Sequence, residues 1–269
     1  MQNLRLVATA AALTDVGLVR DTNEDCVGVL NDSHACSGIQ LAVLADGMGG
    51  HAAGEIASKI CVDTAIEFIN RQSCNDRICD WLKKAIALAN ERIYMSAISD
   101  ESRKGMGSTI CLLYNDGSSN FYYAWVGDSR IYLLRNGLLS LLTRDDTLVN
   151  DMLDEGLITY EQAHDHPHGH VITQAVGTKE SIRDIHVINE PLQVQMGDRF
   201  LMTSDGIHDY LDEYLIAQLL SIQDLHSACL GLIEHAKEAQ STDNLSVVIV
   251  EVSSGKPPIA DAQSAITRY

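Results

Sequence analysis

The order of apolar runs, turns and helical stripes along this chain predicts an α+β fold with antiparallel sheets. Extended segments come in runs joined by short hairpin signals, Asn115-Asp116-Gly117 and Asn136-Gly137. Helical segments come in pairs between those runs, so the strict β-α-β alternation of a doubly wound parallel sheet is missing.

In chain order, Leu4 to Ala10 alternates weakly and predicts an edge strand, and Gly17 to Asp25 is polar and turn-like before a short strand at Val27 to Leu30. After a loop at Asn31 to Gly38, the apolar run Leu41 to Ala45 predicts a buried strand. Isoleucines 56, 60, 66 and 69 give a helix over about Gly54 to Ile69 its stripe, and isoleucines 78, 86 and 93 with Leu82 mark a second over Arg77 to Ile98. Strands follow at Thr109 to Tyr114, Phe121 to Val126, Ile131 to Leu134 and Leu138 to Leu142. The polar stretch Asp145 to Gly169 holds at most two short helices, while Val171 to Val176 and Ile185 to Ile188 read as extended. A buried strand at Arg199 to Thr203, helices at Asp212 to Leu220 and Asp224 to Ala239, and a strand at Leu245 to Val252 complete the series. One domain over residues 1–252 is expected, with a flexible polar tail at 253–269.

Of the 269 residues 46% are hydrophobic, ample for a core, and the formal net charge of −18 argues against nucleic acid or an anionic membrane as partner. Seven cysteines without a CxxC pair point to reduced thiols in an intracellular protein. No apolar run approaches the roughly eighteen residues of a membrane span, so a cytoplasmic location is expected.

The chemistry concentrates at strand ends. Asp46 follows the Leu41 run and is itself followed by Gly47, Gly49 and Gly50, a loop nearly bare of side chains. Taken alone, this reads equally well as a strand-to-helix turn with a capping aspartate. Asp128 and Asp205 repeat the arrangement, each closing an apolar strand before Ser or Gly, and Asp243 opens the last strand. Antiparallel pairing brings the end of one strand beside the start of the next, which puts Asp243 on the edge of Asp46 and Asp205; Glu24 and Asp25 lie in a loop able to reach it. Carboxylates gathered this way stay ionised together only around cations. An all-oxygen set suits Mg²⁺ or Mn²⁺ better than zinc, and two such ions sharing a carboxylate suit phosphoester hydrolysis. Arg20 offers a bidentate fork for the phosphate. No C-x5-R thiol phosphatase motif, GxxxxGK[ST], HExxH or GxSxG is present.

The motifs RDTNED (Arg20–Asp25), DGMGGHAAGEIAS (Asp46–Ser58), GMGSTI, VGDSRIY, LTRDDTLV, VITQAVG, SDGIHD and STDNLSVVIV occur in this order along nearly the whole chain. Together they resemble the metal-dependent serine/threonine protein phosphatases of type 2C in their compact bacterial form. The resemblance implies a sandwich of two antiparallel sheets flanked by helices on both faces, four layers in αββα order, and hydrolysis of phosphoserine and phosphothreonine on proteins. Carried over by motif, Asp46 bridges two Mn²⁺ or Mg²⁺ ions, Asp205 and Asp243 hold the first, and Glu24 and the Gly47 carbonyl serve the second. Asp128 belongs to a third, weaker ion, Arg20 holds the phosphate, and a metal-bridging hydroxide attacks phosphorus in line. A monomer acting on phosphorylated proteins, against a serine/threonine kinase, is implied.

The chain departs from the pattern in places. Met48 stands where some members carry a histidine proposed as the leaving-group acid; His51, three residues on, is the remaining loop histidine and the general acid stays open. The flap, about residues 144–175, opens on Asp145-Asp146-Thr147 in place of Asp-His-Ser, and Gln174 replaces an arginine. It also carries histidines at 164, 166, 168 and 170, a spacing able to bind a transition metal or to titrate near neutrality, though a solvated polar loop is the commoner outcome. A catalytically silent relative serving as a regulatory binding module is the competing reading; silent relatives are expected to erode the metal shell, which is intact here.

Overall fold

A computed structural model describes residues 6–31, 38–49, 53–72, 77–164, 166–255 and 266–268. In chain order the strands are β1 (Leu6–Asp15), β2 (Asp25–Asn31), β3 (Ile39–Met48), β4 (Gly107–Ser108), β5 (Ile110–Asn115), β6 (Asn120–Val126), β7 (Arg130–Arg135), β8 (Leu138–Leu141), β9 (His186–Val187), β10 (Leu192–Gln193), β11 (Arg199–Thr203), β12 (Leu245–Ser254) and β13 (Ile266–Arg268). The helices are α1 (Ala53–Asn70), α2 (Ile78–Ser99), α3 (Leu148–Asp154), α4 (Tyr160–His164), α5 (Asp205–His208), α6 (Glu213–Leu220) and α7 (Leu225–Glu238). One sheet runs β1-β12-β11-β7-β8 and the other β10-β6-β5-β3-β2-β13, every named pair being antiparallel.

Side chains alternate across each strand, and here both faces are covered. On β3, Leu41, Val43 and Ala45 pack against α1 and α2, while Ala42 and Leu44 face the other sheet. On β12, Leu245, Val247 and Ile249 pack against α5, α6 and α7, while Val248, Val250 and Val252 face inward. The result is four layers, helices–sheet–sheet–helices. It explains why antiparallel strands read as unbroken apolar runs, a pattern more usual in parallel sheets.

Local rules set the boundaries. Asn136 and Gly137 both take positive φ, 53° and 80°, as the β7–β8 hairpin turn requires. Asp212 and Asp224 cap α6 and α7, accepting from Leu215 N and Ser227 N at 2.8 Å each.

Three expectations change. β3 does not stop before Asp46 but continues to Met48, because Gly47 and Met48 find a partner strand in β4. Residues 171–176 are not a strand; Ile172 bridges to Thr147 at the start of α3, Val176 bridges to Ser108 of β4, and the Val176 side chain joins the core beneath α1 and α2. Within the polar tail, Ile266–Arg268 pairs with β2.

Candidate active site

The pleat that builds the inter-sheet core also builds the site. Even-numbered residues of β3 and odd-numbered residues of β2 face inward, and at one end of the sandwich these positions turn from apolar to Asp46 and Asp25, which are directly paired. The inward rows of neighbouring strands turn polar at the same level, at Thr109, Ser129, Ser204 and Ser246. Ser204 Oγ donates to Asp25 Oδ2 at 2.8 Å, linking the two sheets. The Asp46 backbone is held from both sides: its N–H donates to Thr109 Oγ1 at 2.9 Å, and its carbonyl accepts from Thr109 N at 2.8 Å.

Glu24 and Gly47 are locked together. Gly47 N donates to the Glu24 carbonyl at 3.1 Å, and a Cβ on Gly47 would lie 2.1 Å from Gly54 O, so only glycine fits. The Glu24 carboxylate accepts from Gly54 N–H in the first turn of α1, although burial leaves its pKa raised overall. Asn244, 4% exposed, holds the loop that carries Arg20 and Glu24. Its Oδ1 accepts from Glu24 N at 2.8 Å, and its Nδ2 donates to the Val16 and Thr22 carbonyls at 2.9 Å each.

Asp128 follows β6, Asp205 opens α5 directly after β11, and Asp243 precedes β12. Burial holds the Asp46 and Asp205 carboxyls well above the ordinary range; the charges of Asp25, Asp128 and Asp243 add to this at both. Burial likewise pushes Asp25 up to about 6 and Asp128 up to about 7. Asp205 Oδ1 is buried with no hydrogen-bond partner. Asp243 pairs with Arg20, Nη2 to Oδ2, at 2.6 Å. The structure therefore brings Arg20, Glu24, Asp46, Gly47, Asp128, Asp205 and Asp243 to one rim. These carboxylates do not close into a cage: among the described residues no three His, Cys, Asp or Glu side chains form a preformed ion-binding group.

Carboxylates that raise one another's pKa, with one oxygen left orphaned, form a site short of positive charge. The donors are all oxygen, which fits hard divalent cations.

At the base of the flap, Arg130 forms a bidentate pair with Asp145, its closest contact being 2.7 Å. Asp146 accepts from Gly127 N at 2.9 Å, Gln174 Nε2 at 3.1 Å and His186 Nε2 at 2.8 Å. The two flap departures, Asp146 and Gln174, thus touch each other. His186 stacks on Trp125 with ring centroids 4.8 Å apart.

The histidine run does not converge among its described members: His166 and His168 lie ring to ring at 5.6 Å, while His170 turns to Asp209 at 2.9 Å. His51 lies outside the described residues. Sequence reasoning set Asp25 beside Glu24 within reach of the rim but gave it no role, and it left out Asn244 and His186, whose roles depend on contacts across 220 and 40 residues.

Comparison with known proteins agrees with this geometry. A family profile described as protein phosphatase 2C matches residues 21–239. The serine/threonine protein phosphatase PstP of Mycobacterium tuberculosis is 35% identical over 252 residues, 94% of this chain but 46% of that protein, so the chain spans about half the length of this relative. A putative protein phosphatase 2C-type of Streptococcus pyogenes is 36% identical over 242 residues, 88% of this chain and 94% of its own length. A crystal structure of the PstP catalytic domain in complex with two manganese ions superposes with a TM-score of 0.78 at 34% identity, covering 93% of this chain and 100% of that one. With the profile matching most of the chain, the chain belongs to the protein phosphatase 2C family.

Proposed function

We propose that this chain hydrolyses phosphoserine and phosphothreonine on proteins, using two Mn²⁺ or Mg²⁺ ions held at the carboxylate rim. The carrying observation is the gathering of Asp46, Asp205 and Asp243 where burial and mutual repulsion leave a deficit of positive charge. The manganese in the PstP catalytic domain supports the same reading. Asp46 would serve both ions, Asp205 and Asp243 the first, Glu24 and the Gly47 carbonyl the second, and Asp128 a third, weaker one. Ions held there supply an activated water for in-line attack and offset charge on the phosphoryl oxygens.

The chain's own residues do the rest. Arg20 exchanges Asp243 for the phosphate, offering the same guanidinium fork to a second anion. Asn244 fixes the loop that carries Arg20, so that the fork is presented at one distance from the carboxylates. The flap, residues 144–175, bears on substrate choice. A single catalytic domain covers residues 1–252, acting as a monomer in the cytoplasm on phosphoproteins made by a serine/threonine kinase. No described helix is long and apolar enough to cross a membrane.

The test is hydrolysis of p-nitrophenyl phosphate and a phosphothreonine peptide, first metal-free and then with Mn²⁺ or Mg²⁺, with Asp205→Ala and Asp243→Ala alongside. Metal-dependent turnover abolished in both variants is expected. A folded, metal-loaded protein without turnover would overturn the reading and leave a silent binding module.

A further inference from the structure

Next to the flap lies a cavity of about 210 Å³ whose walls include Thr173, Gln174, Lys179, Ser181 and Arg183 and no carboxylate. In a chain with 37 acidic and 19 basic residues this is a local reversal of charge. Lys179 makes no ion pair among the described residues, and Arg183 makes two long ion pairs, with Asp151 at 3.8 Å and Asp184 at 3.7 Å. Thr173 Oγ1 is buried without a partner.

The walls are built rather than loose. Gln174 clips the neck of the loop, its Oε1 accepting from Asp184 N at 2.8 Å and its Nε2 donating to Asp184 O at 2.7 Å. Asn90, 3% exposed, donates to the Lys179 and Glu180 carbonyls and accepts from Gly177 N at 2.7 Å. Gly177, at φ 92°, lets the loop press on α2, where a Cβ would meet Ile93 at 2.0 Å. Hydrogen bonds therefore fix the backbone while the Lys179, Ser181 and Arg183 side chains stay exposed. At this size the cavity falls below the roughly 300–1,000 Å³ of small-molecule sites and suits one side chain.

Its position relates it to the rim. Val176 bridges to Ser108, and Ser108 pairs with Gly47. Two inter-strand steps of about 4.8 Å, roughly 10 Å or about three residues of extended peptide, separate Val176 from the strand carrying Asp46, and the cavity walls at 173–175 and 178–183 flank Val176. We propose that this cavity is an anion subsite that takes an acidic side chain, a carboxylate or a second phosphate, about three residues from the phosphorylated residue of a peptide substrate. The proposal rests on the phosphatase reading for the identity of that peptide. It runs against the bulk electrostatics, since a net charge of −18 would otherwise repel acidic peptides.

The experiment uses phosphothreonine peptides of equal length with Glu, phosphoserine or Gln three residues to either side of the phosphothreonine. Binding is followed by fluorescence anisotropy on the metal-free protein, and kcat and KM are measured with Mn²⁺. The wild type is expected to bind the Glu or phosphoserine peptide about fivefold tighter than the Gln peptide on one side. The double variant Lys179→Glu/Arg183→Glu should lose that preference through KM, with turnover of p-nitrophenyl phosphate unchanged. A preference confined to phosphoserine identifies phosphate as the ligand; an equal one identifies charge alone. Equal binding of the Glu, phosphoserine and Gln peptides by the wild type, or a preference that survives in the variant, overturns the subsite. Absence of Mn²⁺-dependent p-nitrophenyl phosphate turnover would instead overturn the phosphatase reading, while anisotropy still decides the subsite.

Discussion

Asp25 stands directly opposite Asp46 across the β2–β3 ladder, with both side chains turned to the space between the sheets. Two buried carboxyls in that relation cannot both be ionised without a compensating cation.

This sets a pH dependence for metal binding. In the metal-free fold Asp25 keeps its proton up to about 6 and Asp128 up to about 7, against 3.8 for the free side chain. Folding-state pKa values raised in acids contribute stability at low pH that is lost as pH climbs from about 4 to 7. A cation binding there must displace those protons below pH 6, but finds uncompensated charge above 7. The rise in melting temperature on adding Mn²⁺ should therefore grow from pH 5 to pH 8. A metal-induced shift that is flat or shrinks over this range would contradict the placement of the ions.

Arg20 is the only cation shown paired with the candidate metal ligands among the described residues. Arg20→Ala should cut kcat/KM on a phosphothreonine peptide about 10- to 100-fold, the worth of a charge-assisted hydrogen bond. Little loss of stability is expected, because the pair is part-exposed and such pairs contribute little. Steady-state kinetics alongside urea unfolding separate the two effects.

Asn244→Ala should behave differently. It removes three hydrogen bonds made by a buried amide and leaves the Val16 and Thr22 carbonyls and Glu24 N–H without their partner. A loss of about 2 kcal/mol in urea unfolding is expected, with a fall in activity beyond it as the Arg20 loop loosens. Unchanged kinetics would show that the loop is held by other means.

His186 should titrate above its ordinary 6.5, because Asp146 favours the charged ring. The pair supports the flap fully below pH 6.5 and releases it as pH rises through the raised value. NMR titration of the His186 ring, repeated on Asp146→Asn, checks this; the variant should bring the value back down. An unchanged titration would mean that the contact at 2.8 Å carries no charge coupling.

Most of the layer architecture was legible because period and turn chemistry are local. Strand β11 was delimited to the residue, and the Asp212 and Asp224 caps mark helix starts within one position. The end of β3 was misread because glycines at 47 and 107 look like loop, whereas both lie in paired strands, Gly47 opposite Ser108 and Gly107 opposite Met48. Residues 171–176 misled in the opposite sense: their apolar character serves contacts with the flap and β4, not a ladder. The aspartates at strand ends were visible from the sequence, and their shared rim followed from antiparallel pairing. The polar contacts among Asp146, Gln174 and His186 were not, since no periodicity links a flap to a two-residue strand.

The rim lies on a seam. Asp25 and Asp46 hang from one sheet, Asp205 and Asp243 from the ends of strands in the other, and the Ser204 and Ser246 hydroxyls stitch Asp25 across. A ligand that engages both pairs acts as a clasp on the sandwich, and its binding free energy becomes cohesion between the sheets. Slow amide exchange in β2 and β12 would then report occupancy of the rim, even for residues that never meet the ligand.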